Sequence, residues 1–216
     1  MTLRIDPRLI PPSPHLRFER ALWNAGISAV AGIDEAGRGC LAGPVTAAAV
    51  ILPQDDGVAE SLREVRDSKQ LSPVKREETR MIIEEISLAW ALGWAGNEEI
   101  DQIGIVPATR LAVWRALEKL PVQAEHLLVD YLVLPDIPLP QTRLIKGDAR
   151  SLSIAAASIL AKTHRDVWMI QNAGDFPTYG FEKNKGYGTA AHRDAIQALG
   201  PCKLHRMSFA PMRPKG

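Results

Sequence analysis

Three short, continuous apolar runs constrain the fold of this chain most. Residues 29–33 and 45–52 are almost wholly aliphatic, and residues 88–95 form a third apolar run before a polar turn. Runs of this length that stop at an acid, a proline or a polar turn are typical of buried strands. We therefore predict that the three segments are neighbouring strands of one sheet, and that the first strand ends at Asp34.

Segments with helical periodicity alternate with these runs. Glutamates interleave with apolar residues over 73–86, and Ser72 is a candidate N-cap for a helix there. We predict further helices over 107–120, 151–171 and 189–199, and two more strands over 126–129 and 142–145. An alternation of strands and helices of this kind predicts an α/β fold with a mixed sheet.

Size and composition limit the classes of protein that fit. The chain has 216 residues, of which 46% are hydrophobic and 24% charged, as expected for one compact domain. It has neither an apolar run of about 18 residues nor an apolar leader, so we expect a cytoplasmic protein without membrane contact. Cys40 and Cys202 form no Cys-x-x-Cys pair, which argues against a disulfide scaffold and a zinc site.

Charge is distributed unevenly along the chain. Residues 1–140 contain 14 Lys and Arg against 20 Asp and Glu, whereas residues 141–216 contain 12 against 5. This asymmetry suits an enzyme that gathers acids at a metal site and presents cations to a polyanionic ligand. An uneven but solvated surface explains the charge pattern equally well.

Four carboxylates follow predicted strands. Asp34 and Glu35 come after the first strand, Asp130 after the fourth, and Asp148 shortly after the fifth. Side chains at strand ends can converge over one sheet edge, and oxygen ligands without His or Cys suit Mg²⁺ or Mn²⁺. Two such ions would favour phosphodiester hydrolysis. The alternative is that each Asp merely caps a turn or helix.

Two further segments have the composition of ligand contacts. Gly37, Arg38 and Gly39 combine a backbone that can approach a ligand closely with one guanidinium suited to phosphate. In a predicted loop over 175–189, aromatic residues alternate with lysines and glycines, which suits a nucleic acid. The alternative is that Tyr179 and Phe181 pack this loop against the core.

Five segments resemble the ribonuclease HII family and occur in the family's order. They are residues 32–39 (Gly-Ile-Asp-Glu-Ala-Gly-Arg-Gly), 67–72 (Asp-Ser-Lys-Gln-Leu-Ser), 146–148 (Lys-Gly-Asp), 155–162 (Ala-Ala-Ala-Ser-Ile-Leu-Ala-Lys) and 185–189 (Lys-Gly-Tyr-Gly-Thr). The resemblance implies a ribonuclease H-like fold, with a five-stranded mixed sheet flanked by helices and a helical C-terminal extension. It also implies a type-2 catalytic domain over 29–216, preceded by an arm over 1–28.

The resemblance also implies roles for individual residues. The metal-binding and catalytic carboxylates would be Asp34, Glu35, Asp130 and Asp148, which would hold two Mg²⁺ or Mn²⁺ ions. Ribonucleotide recognition would fall to Gly37, Arg38 and Gly39, and Tyr187 would pack on the sugar. The remaining phosphate contacts would be Lys69, Lys185 and Thr189.

The activity implied is endonucleolytic. A ribonuclease HII cuts the RNA strand of RNA/DNA hybrids and cuts 5′ of ribonucleotides embedded in duplex DNA, leaving 5′-phosphate and 3′-hydroxyl ends. Tyr131 and Cys40 depart from the family pattern, where Gly and Pro are common. The default expectation is a monomer. Two alternatives stay open: a non-catalytic binder of RNA/DNA hybrids, and a related nuclease of the resolvase or transposase type.

Overall fold

The computed structural model describes residues 6, 10–55, 57–63, 65 and 71–212. In this part of the chain, one mixed sheet is formed by β1 (Val30–Ala36), β2 (Val45–Ile51), β3 (Ala89–Ala95), β4 (His126–Asp130) and β5 (Gln141–Leu144). Its strand order is β3-β2-β1-β4-β5. The first three strands pair antiparallel, whereas β4 and β5 run parallel to β1. The predicted fold class is therefore confirmed.

Helices surround the sheet. They are α1 (Arg17–Asn24), α2 (Gly57–Ser61), α3 (Pro73–Ile86), α4 (Asn97–Ile103), α5 (Ile105–Glu118), α6 (Leu152–Gln171), α7 (Phe181–Asn184) and α8 (Ala190–Leu199). The hydroxyls of Ser72, Ser151 and Thr189 cap α3, α6 and α8 by accepting backbone N–H bonds. The predicted helix over 73–86 is confirmed, and α6 and α8 each begin one residue later than predicted. No helix among the described residues is long and apolar enough to cross a membrane.

The sheet lies between two helical layers. Alternate residues of β1 and β2 pack with α5 on one face and with α6 on the other, so all seven residues of β2 are buried. Two glycines allow the helices to approach closely. A Cβ on Gly32 would lie 2.2 Å from the backbone carbon of Ser153 in α6, and one on Gly93 would lie 1.9 Å from the carbonyl oxygen of Ala112 in α5.

Several predicted boundaries were wrong. β1 does not end at Asp34, because its hydrogen-bonded register with β2 continues to Ala36. The helix predicted over 107–120 begins earlier, at Ile105, directly after Gly104, whose φ of +83° separates it from α4. The predicted loop over 175–189 contains the 3-10 turn Pro177–Tyr179 and α7, because Tyr179 and Phe181 are buried there.

The segment before β1, which was predicted only as an arm over 1–28, contains α1 and is attached to the core through it. Glu19 of α1 is fully buried, and its Oε1 accepts hydrogen bonds from the hydroxyls of Ser151 and Ser153, both at 2.6 Å. The backbone N–H of Ser153 donates to the same oxygen at 2.9 Å. The first turn of α6 is therefore fixed from the N-terminal side.

Two buried histidines organise the C-terminal region. The Nε2 atoms of His192 and His205 lie 3.1 Å apart. His205 Nδ1 accepts from the N–H of Cys202, and His192 Nδ1 lies 2.9 Å from the carbonyl oxygen of Tyr187. Burial lowers the pKa of both imidazoles, that of His205 to about 4. Neutral rings thus form a hydrogen-bonded connection that reaches the backbone of Tyr187.

Candidate active site

Parallel pairing of β1 and β4 brings two predicted carboxylates together. Ile33 pairs with Val129, so the next residue on each strand, Asp34 and Asp130, lies at the same level of the sheet. Asp34 lies inside β1 and Asp130 is the last residue of β4, so the prediction that these acids follow the strands was wrong in detail. Asp148 lies in the buried 3-10 turn Gly147–Ala149.

Asp34 is the electrostatic centre of this group. Burial raises the pKa of its carboxyl well above the usual range, and the negative charges of Glu35, Asp130 and Asp148 raise it further. A hydrogen bond from the Ser158 side chain acts in the opposite direction. Four acids that destabilise one another's charge form a site that a divalent cation would stabilise.

Glu35 and Asp130 are each held by a neighbouring group of the protein. Glu35 Oε1 lies 3.0 Å from Nη1 of Arg38, and Asp130 Oδ1 accepts from the N–H of Gly147 at 2.7 Å. Among the described residues, no three His, Cys, Asp or Glu side chains are arranged to hold a metal ion. The donor chemistry, oxygen alone, nevertheless fits Mg²⁺ or Mn²⁺. The fold therefore brings the acids together against their mutual repulsion, with Glu35 and Asp130 engaged by Arg38 and Gly147.

A cavity of about 310 Å³ joins Asp34, Glu35 and Asp130 to the second predicted group, whereas Asp148 does not line it. Predicted site residues in its lining are Asp34, Glu35, Gly37, Arg38, Gly39, Asp130 and Tyr187. Ser158 and Lys162 of α6 also line it, although sequence reasoning gave them no role at the site. A signal was present, since both lie in the segment over 155–162 that resembles the ribonuclease HII family.

The segment from Gly37 to Gly39 has a backbone that needs glycine at its first position. Gly37 has a φ of +93°, and a Cβ there would lie 2.0 Å from Nε of Arg165. Gly39 is different, since a Cβ there would meet nothing within 4 Å. Arg38 between them is 43% exposed in its side chain, so its guanidinium borders the open cavity.

Tyr187 is held over the cavity by cations on one helix. Its ring centroid lies 5.0 Å from Nζ of Lys162 and 5.8 Å from the guanidinium carbon of Arg165. Its hydroxyl shares a hydrogen bond with the buried thiol of Cys40, and burial raises the pKa of Tyr187 to about 12. Tyr187 is 38% exposed and its hydroxyl stays protonated at neutral pH, so the residue presents an uncharged ring for stacking.

Two other predicted contacts, Lys185 and Thr189, lie outside this cavity. Lys185 has a left-handed backbone, and its Nζ donates to the carbonyl of Glu182. The hydroxyl of Thr189 caps α8. Lys69 lies outside the described residues. Tyr131, where the resembling family commonly has Gly, has a φ of +57°, so its backbone adopts the region that Gly occupies without strain.

Comparisons with known proteins point in one direction. A family model described as ribonuclease HII matches residues 31–212. A ribonuclease HII of Moorella thermoacetica is 50% identical over 192 residues, covering 89% of this chain and 91% of the relative.

Solved structures agree on the fold. The ribonuclease H2 of Pyrococcus horikoshii superposes with a TM-score of 0.70 at 24% identity, covering 85% of this chain and 95% of that one. Bst-RNase HIII in complex with Mn²⁺ has a TM-score of 0.65 at 20% identity, covering 86% and 68%. At these identities the two structures indicate a shared fold.

Proposed function

The chain belongs to the ribonuclease HII family, and we propose that it cuts duplex DNA 5′ of embedded ribonucleotides as well as the RNA strand of RNA/DNA hybrids. As a family member it is a metal-dependent ribonuclease, a hydrolase that acts on nucleic acid. The observation that supports the finer proposal is the shared cavity. In it, the acids around Asp34 border the Gly37–Gly39 backbone and the ring of Tyr187.

We propose that Asp34, Glu35, Asp130 and Asp148 hold two divalent ions. The raised pKa of Asp34 supports this, since neighbouring cations would favour the ionised form of all four acids. Bound Mg²⁺ or Mn²⁺ would supply Lewis acidity and positive charge for hydrolysis to 5′-phosphate and 3′-hydroxyl ends. The hydrogen bond from Ser158 would orient the Asp34 carboxylate, and Gly147 would orient that of Asp130.

Recognition of ribose would come from the backbone of Gly37–Gly39 together with Tyr187. A 2′-hydroxyl both donates and accepts hydrogen bonds, and it distinguishes RNA from DNA at a given position. Main-chain groups beside Gly39 can approach a sugar closely because no side chain shields them. The half-exposed ring of Tyr187 would then pack on the sugar, and Arg38 would contact the neighbouring phosphate.

Other parts of the proposal extend the site along the nucleic acid. Lys69, Lys185 and Thr189 would contact phosphates of the nucleic acid. Residues 29–216 would form the catalytic domain, to which α1 attaches from the arm over 1–28. The protein would act as a monomer in the cytoplasm.

Cleavage of end-labelled duplexes tests this proposal. The substrates are a DNA duplex with one ribonucleotide, the same duplex in all-DNA form, and an RNA/DNA hybrid, each with Mg²⁺, Mn²⁺ or a chelator. We expect metal-dependent cutting 5′ of the ribonucleotide, no cutting of all-DNA, and loss of activity in Asp34→Asn. Asp175→Asn, which removes an exposed acid outside the cavity, is the matched control and should cut normally.

Two outcomes would overturn the proposal in different ways. Binding of the duplexes without cutting under any metal would make the protein a binder of hybrids. Equal cutting of the all-DNA duplex would instead refute ribose recognition by Gly37–Gly39 and Tyr187.

A further inference from the structure

Two arginines beneath the candidate site are fully buried. Arg165 of α6 and Arg206 of the C-terminal segment are both 0% exposed, and they are the largest fully buried side chains among the described residues. Burial of a guanidinium is costly unless hydrogen bonds compensate for the lost water. The bonds that Arg165 and Arg206 make therefore indicate what these side chains do.

Arg165 binds three main-chain carbonyls on two separate segments. Its Nε donates to Pro44 at 2.8 Å and its Nη2 to Ala42 at 3.0 Å, both just after the Gly37–Gly39 segment. Its Nη1 donates to the carbonyl of Lys185 at 2.9 Å, two residues before Tyr187. The planar fork of one guanidinium thus links the two segments to which ribose recognition is assigned.

Arg165 also restricts which residue can occupy position 37. Its Nε fills the position that a side chain at residue 37 would need, 2.0 Å from the ideal Cβ. Its guanidinium carbon lies 5.8 Å from the ring centroid of Tyr187. It therefore contacts both recognition segments from below without lining the cavity.

Arg206 completes the support from the opposite side. Its Nη1 donates to the carbonyl of Arg38 and its Nε to that of Gly43, both at 3.0 Å. Its own N–H donates to the carbonyl of Leu41 at 2.9 Å. The residues that follow β1 are thus held by side chains from α6 and from the C-terminal segment.

We propose that Arg165 and Arg206 are positioning residues for ribonucleotide recognition, and that Arg165 fixes the Gly37–Gly39 backbone relative to Tyr187. This rests on the proposed function, since it assumes that those two elements read the ribose. A segment held only by main-chain bonds to neighbouring loops would adopt several conformations, whereas rigid donors select one. Neither arginine contacts the nucleic acid.

Arg165→Lys is the informative substitution. It keeps the positive charge, but one ammonium group cannot reach the three carbonyls in the geometry of the guanidinium fork. We expect kcat/KM on the duplex with one ribonucleotide to fall roughly tenfold to a hundredfold, as is usual when recognition groups shift by about 1 Å. Glu125→Gln is the control, since Glu125 Oε2 accepts three hydrogen bonds from Ser28 and Ala29 at the opposite end of β1 from Asp34, outside the cavity, and this variant should retain normal kcat/KM.

Binding separates positioning from general destabilisation. In an Asp34→Asn background, we would measure the affinities for the ribonucleotide duplex and for its all-DNA counterpart. Arg165→Lys should reduce the ratio of these affinities towards one while leaving all-DNA binding unchanged, because phosphate contacts do not depend on the ribose. Glu125→Gln should leave the ratio intact even where it lowers the Tm.

The possible results are distinguishable. A folded Arg165→Lys protein that keeps full discrimination would overturn the inference. If the Asp34→Asn protein itself fails to distinguish the two duplexes, the proposed function is wrong instead. Should Arg165→Lys not fold, Arg206→Lys provides the same test through the carbonyl of Arg38, and retained discrimination there would equally refute the inference.

Discussion

Gly32→Ala tests whether β1 and α6 approach as closely as the structure shows. The new Cβ would lie 2.2 Å from the backbone carbon of Ser153, 2.4 Å from its oxygen and 2.5 Å from the nitrogen of Ile154. All three atoms belong to the main chain of α6, so no change of rotamer relieves the overlap. Ordinary contacts begin at 3.4 Å, so α6 must move away from β1 or the strand must bend.

Overpacking of this kind lowers the free energy of unfolding by about 1–3 kcal/mol. For a chain of this size, each kcal/mol corresponds to about 2–4 °C in Tm, so the Tm should fall by about 2–12 °C. Activity should fall as well, because α6 carries the Ser158 that bonds Asp34. Calorimetry measures the first effect and the cleavage assay the second. Gly174→Ala is the control, since its Cβ would meet nothing within 4 Å. A Gly32→Ala protein with the Tm of the Gly174→Ala protein would refute the close packing.

The remaining predictions concern charge and stacking. Asp34→Asn should raise the Tm of the metal-free protein at neutral pH. The raised pKa of Asp34 means that its ionised form destabilises the fold, and the Asn variant removes that charge. The gain in Tm should shrink as the pH falls towards the ordinary pKa of an aspartate, because the wild-type carboxyl becomes protonated. Thermal shift assays should show that Mn²⁺ stabilises the wild type more than Asp34→Asn, and equal shifts would argue against a metal site there. Tyr187→Ala should lower kcat/KM for the ribonucleotide duplex by about tenfold, whereas Tyr187→Phe, which keeps the ring, should lose much less. The free energy of unfolding should decrease as the pH falls from about 6.5 to about 4, because His205 is buried in its neutral form, and His205→Gln should flatten this dependence in denaturant titrations.

Local patterns predicted the regular elements well. The apolar runs became β1, β2 and β3, and Ser72 caps α3 as expected. The errors arose where tertiary contacts decide. Pairing with β2 extends β1 beyond Asp34 and Glu35. The sequence of α4 is too polar to show an apolar helical stripe. This helix is instead fixed by a tertiary contact, since Asp101 accepts two backbone N–H bonds from the C-terminal segment.

The candidate site was predictable only in part. Acids after successive strands can be found by inspection, because sheet geometry brings strand ends together. Arg165 could not be found in this way, since its acceptor Pro44 lies 121 residues earlier and no periodicity connects them. The same holds for Arg206, whose contact with Arg38 spans 168 residues. Residues that touch the ligand site have a sequence signal, whereas those that support it are defined by the fold.

The bonds that Arg165 makes have a consequence for how this surface can change. All of its acceptors are main-chain carbonyls, which every amino acid possesses, so substitutions at Ala42, Pro44 or Lys185 leave the hydrogen bonds chemically possible. What is constrained is the space around the guanidinium, as at Gly37, where a Cβ would lie 2.0 Å from Nε of Arg165. A chain built in this way tolerates substitutions around its recognition segment as long as they leave the backbone in place.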